Sequence, residues 1–99
     1  MDHQEVKQVV YQTAADMARR GLGWTQESVV LREALERLRP HLGAGLAAQQ
    51  AILSAWHDLF LERKLSWGYD LDNPNWPFFH LREGVNGPAA AAVPAAAQA

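Results

Sequence analysis

Ser54, His57 and Asp58 are the residues whose types most suggest catalysis: a nucleophile, a base and an acid close together in the chain. Helical spacing separates them. Ser54 and His57 are neighbours at i, i+3, whereas His57 and Asp58 diverge by about 100° around a helix axis, so no triad forms locally. Solvated helix surface is the expectation for all three. The four histidines, His3, His41, His57 and His80, stand far apart and match no metal-ligand spacing. With no cysteine in the chain, thiolate ligands and disulfides are excluded. Asp70, Asp72 and Asn73 offer calcium-type oxygens, but the glycine and distal glutamate of an EF-hand loop are missing, and a turn accounts for them. Neither a glycine-rich phosphate loop nor an activated nucleophile is present. The expectation is a binding protein, not an enzyme, with no catalytic residues, no cofactor and no metal.

Two sets of residues could do the binding. Trp67, Tyr69, Trp76, Phe78 and Phe79 hold five of the nine aromatic rings. Adjacent Phe78 and Phe79 would point to opposite faces of a strand, so part of this set should stay exposed. Trp76, Phe79 and Tyr69 are the expected contacts for a protein partner or a second copy, stiffened by Pro74 and Pro77. The other set would read DNA: Gln49, Gln50, Ser54 and His57, with Arg63 and Lys64 after them. Charge weighs against it. Nine Lys/Arg against eleven Asp/Glu give a net charge of −2, where nucleic-acid binders usually carry a basic excess. The arginines at 19, 20, 32, 37 and 39 are diluted by Glu33 and Glu36 and read as a solvated face.

These residues must be carried on secondary structure. Val6, Val9, Val10, Thr13 and Met17 predict an amphipathic helix over 3–20, with Asp2 and Glu5 as a capping pair and Gly21-Leu22-Gly23 as its stop. A second helix is expected from Trp24–Thr25, capped by Thr25 or Ser28 and ended by Pro40, burying Val30, Leu31, Ala34, Leu35 and Leu38. Pairs Arg32–Glu36 and Glu33–Arg37 should decorate its outer surface. A third helix, about 46–63, should bury Leu46, Ile52, Leu53, Trp56, Leu59 and Phe60. Alternation of Leu65, Trp67, Tyr69 and Leu71 with Ser66, Gly68 and Asp70 predicts a strand. The turn residues Asp72-Asn73-Pro74-Asn75 and the run Phe78–Leu81 complete a β-hairpin. The fold class is mainly α with a C-terminal hairpin.

Three helices followed by a hairpin resemble the winged-helix domain, on the passage AILSAWHDLFLERKLSWGYDLDNPNWPFFHL, residues 51–81. The likeness covers roughly residues 25–82. It implies a third helix facing DNA, with the hairpin as the wing. The acidic tip, Asp70 and Asp72, departs from that use, because it would repel phosphates. Winged helices also serve protein interaction and dimerisation, which an acidic wing suits better. The phrase GYDLDNPNWPFFHL further resembles passages in small uncharacterised bacterial proteins, a likeness that implies no activity.

The folded domain is expected over 1–83. Residues 84–99, GVNGPAAAAVPAAAQA, hold no charged or aromatic side chain and read as a flexible tail. The polar start, MDHQEVKQVV, shows no signal peptide, and no apolar run approaches a membrane span. A cytoplasmic protein is the expectation.

Overall fold

The computed structural model describes residues 1–82; the segment 84–99 lies outside the described residues. Three helices come first: α1, His3–Ala18; α2, Glu27–Leu42; and α3, Leu46–Leu61. A two-stranded antiparallel sheet follows, β1 Leu65–Trp67 and β2 Phe79–Leu81. No helix among the described residues is long and apolar enough to cross a membrane.

The capping box at the start of α1 forms as its residues predict: Asp2 accepts from the Glu5 amide, and Glu5 reaches back to the Asp2 amide. Val6, Val10, Ala14 and Met17 are buried against the other helices. Gly21, at φ 102°, turns the chain into a single 3₁₀ turn, Leu22–Trp24. Thr25 does not cap α2. Its hydroxyl donates to the Gly21 carbonyl instead, and the first amide of α2, Glu27, donates to Pro77 of the hairpin.

Pro40 does not end α2, which runs on to Leu42. The stop is Gly43, whose φ of 75° is a conformation that side chains disfavour and whose amide returns to Arg39. The pair Glu33–Arg37 forms, while Glu36 binds Arg39 rather than Arg32. Arg37 also reaches Asp16 on α1 at 2.8 Å, tying the two helices. Hydrogen bonding from the Arg37 guanidinium holds the Asp16 carboxyl below its ordinary range. A depressed pKa contributes stability above the unfolded-state value near 3.8, lost as pH falls through the lower folded value. Asp16→Asn should therefore cost about 1 kcal/mol or less at neutral pH. In thermal melts from pH 7 to 2 it should also flatten the acid limb, whereas an unchanged acid limb would rule this pair out as its source.

The buried row of α3 is Ala48, Ile52, Ala55, Trp56 and Leu59. This corrects the expected stripe: Leu46 and Leu53 lie outside, Leu46 at 69% exposure. The small alanines are why. At 48 and 55 they let neighbouring helices approach closely, so the helix turns that row inward and leaves two leucines on its rim.

Trp56 is the centre of the core. Its ring meets Phe60, Phe79 and Trp67 edge-on, at centroid distances of 5.1, 5.3 and 6.2 Å, while Phe60 stacks on Trp67 at 4.2 Å. Leu65 and Phe79 complete the contact between sheet and helices.

Candidate functional site

Arg63, at φ 60°, swings the chain out of α3, and Lys64 leads into β1. The register pairs Leu65 with Leu81, Ser66 with His80 and Trp67 with Phe79. Leu65, Trp67, Phe79 and Leu81 thus share the face toward the helices. The strand stops at Trp67, shorter than the alternation predicts, because Gly68 takes φ 100° and turns the chain. Asp70 then builds the tip. Its Oδ1 accepts from the amides of Asp72 and Asn73 and from the Asn73 side chain, at 2.7–3.1 Å. Calcium is unnecessary to explain these oxygens, and among the described residues no group of His, Cys, Asp and Glu could hold a metal ion.

On the return, Pro77 follows a cis peptide bond, and Phe78 bridges to Gln26 ahead of α2. The Phe79 amide donates to the Thr25 carbonyl at 3.3 Å, so the hairpin is stitched to the helical body along β2. Phe79 is fully buried beside Trp56. That corrects its expected role as a partner contact: Phe79 is core, and Phe78, its neighbour, is half-buried.

Trp76 and Tyr69 do reach the surface. The hairpin exposes Trp67 at 38%, Tyr69 at 40%, Trp76 at 64% and Leu71 at 96%. A cleft of about 410 Å³ runs among Trp67, Tyr69, Leu71, Pro74 and His80. Trp76 is held rather than loose. Its indole N–H donates to Glu27 Oε1 at 2.9 Å, while the buried Trp56 indole donates to Glu27 Oε2 at 3.0 Å. One carboxylate at the start of α2 thus orients an exposed ring and anchors the core ring behind it. Glu27 was not legible as part of the site. Its signal was weak: an acid in the first turn of a helix reads as dipole compensation.

The DNA-type residues are arranged differently. Gln50, Ser54 and His57 are exposed on α3, and Gln49 beside them donates to the Ala44 carbonyl at its own N-terminus. Leu46, Leu53 and Leu61 share that outer arc, with no lysine or arginine among them. Arg63 and Lys64 are exposed beyond its end. Asp58 does not join Ser54 and His57; it binds His3 of α1 at 2.6 Å. Elsewhere among the described cations, Lys7 pairs with Glu62, Arg19 with Asp16, Arg39 with Glu36, and Arg20 lies over the Trp24 ring. Comparison of the chain with protein-family models, curated proteins and solved structures finds no match in any of the three.

Proposed function

We propose that this chain is a non-catalytic binding module of winged-helix type whose hairpin takes a protein partner, another protein or a second copy. The observation that carries the reading is the hairpin surface, with Trp76 exposed yet fixed by Glu27, and Tyr69 and Leu71 beside it. Aromatic rings held in place lose little entropy on binding and supply most interface energy. The winged-helix likeness is supported by more than element order. The Gln26–Phe78 bridge puts the segment between α1 and α2 beside β2, so the hairpin is continuous with a strand-like stretch from between the first two helices.

The second reading, DNA binding through α3, rests on Gln50, Ser54 and His57. Against it stand the leucines on the same arc and the missing cations, since phosphate neutralisation supplies much of DNA affinity. Random duplex should bind no tighter than about 10⁻⁴ M at physiological salt, measured by fluorescence anisotropy. Association with a protein partner should instead resist salt and be lost on Trp76→Ala or Tyr69→Ala, with the circular dichroism of each variant native. Tight, sequence-specific duplex binding that disappears when Gln50 and Arg63 are replaced would overturn the proposal.

A further inference from the structure

We propose that residues 84–92 of this chain lie along a cleft on α1 of their own molecule, held there through their backbone groups. This cleft shares no residue with the one on the hairpin, so its occupancy is independent of the hairpin's partner.

The cleft, of about 600 Å³, is walled by Gln4, Gln8 and Gln12, with Tyr11 and Leu59 supplying its apolar surface. The three glutamines recur every four residues and so form one row along the helix. Among the described residues, the side chains of Gln4 and Gln8 have no hydrogen-bond partner. Each side-chain amide carries donors and an acceptor, the same kinds of group that a peptide unit offers. Lys7 and Glu62, also in the wall, are paired with each other. A glutamine row beside apolar surface, with its ion pair satisfied internally, suits an uncharged length of backbone.

The chain itself supplies that backbone at the rim. β2 packs against α1, and just past β2 the Arg82 amide donates to the Lys64 carbonyl at 3.0 Å. Lys64 lines the cleft. The described chain therefore ends at the cleft's edge, with residues 83–99 still to follow. Residues 84–92, GVNGPAAAA, carry no charged or bulky side chain. Apart from Asn86, their polar groups are those of the backbone. Extended around Pro88, the backbone makes no hydrogen bonds within itself and needs partners outside. The row from Gln4 to Gln12 is about 12 Å long at about 1.5 Å per residue, so about four extended residues cover it. Tethering favours this occupant over a free peptide, because a short linker holds it at an effective concentration in the millimolar range.

The test is NMR on the full chain. Methyl groups of Val85 and Ala89–Ala92 should show nuclear Overhauser contacts to the Tyr11 ring and the Gln8 side-chain amide. The amides of Ala89–Ala92 should exchange several-fold more slowly than in a Gln4→Ala/Gln8→Ala double variant. Both glutamines are exposed on α1 and alanine is a strong helix former, so the body of that variant stays folded. Mixing isotope-labelled with unlabelled chains separates contacts within one molecule from contacts between two. Contacts found only between molecules would assign the cleft to a second copy's segment and overturn the proposal. So would an absence of contacts to Tyr11 and Gln8, or exchange that the double variant leaves unchanged.

Discussion

Trp56→Ala should unfold the domain. The side chain is fully buried, meets three other rings and donates its indole N–H to Glu27. Truncating a buried tryptophan costs about 3–5 kcal/mol, comparable with the whole stability of a domain this small. A further loss follows from Glu27, which keeps only Trp76 as an indole partner. Trp56→Phe separates the two contributions, since it retains a ring and removes the hydrogen bond. Urea unfolding followed by near-ultraviolet circular dichroism measures both. If Trp56→Ala keeps a cooperative transition and a native near-ultraviolet signal, Trp56 is not the centre of the core.

Gly68→Ala should be the most damaging change in the hairpin, although it adds a single carbon. Gly68 holds φ at 100°, where side chains are strained. A Cβ there would lie 2.6 Å from the Pro74 carbonyl oxygen and 2.9 Å from its carbon. Both are backbone atoms, so no side-chain rotation relieves the contact. Strain and clash together should cost about 3 kcal/mol or more. The thermal midpoint should fall by many degrees, with Tyr69 and Leu71 displaced from their positions beside the cleft. A variant within about 0.5 kcal/mol of the parent, the range of a neutral surface change, would show that the tip takes another path.

Helix periodicity and capping made α1 legible, because Asp2, Glu5 and the valine spacing all act within a few residues. The fold class was legible for the same reason. What escaped was set by packing between distant segments. The inward row of α3 depends on Ala48 and Ala55, whose value lies in the space they leave for other helices. The end of α2 depends on Gly43 and not on Pro40, whose missing N–H removes one ladder bond without ending the helix. At the site, Tyr69 and Trp76 were legible as exposed aromatics. Phe79 was not distinguishable from them by composition, since only the register with Trp67 turns it toward Trp56. Glu27 was invisible because its two indole partners come from α3 and the hairpin.

The hairpin as the binding surface can be tested most directly by site-specific photocrosslinking in the native cell. A photoreactive residue replaces Leu71 in one variant and Gln50 in another; both positions are exposed, so neither insertion disturbs the core. The account predicts a protein adduct from position 71 that disappears when Trp76→Ala is added, and none from position 50. A nuclease-sensitive adduct from position 50, with nothing from position 71, would contradict it.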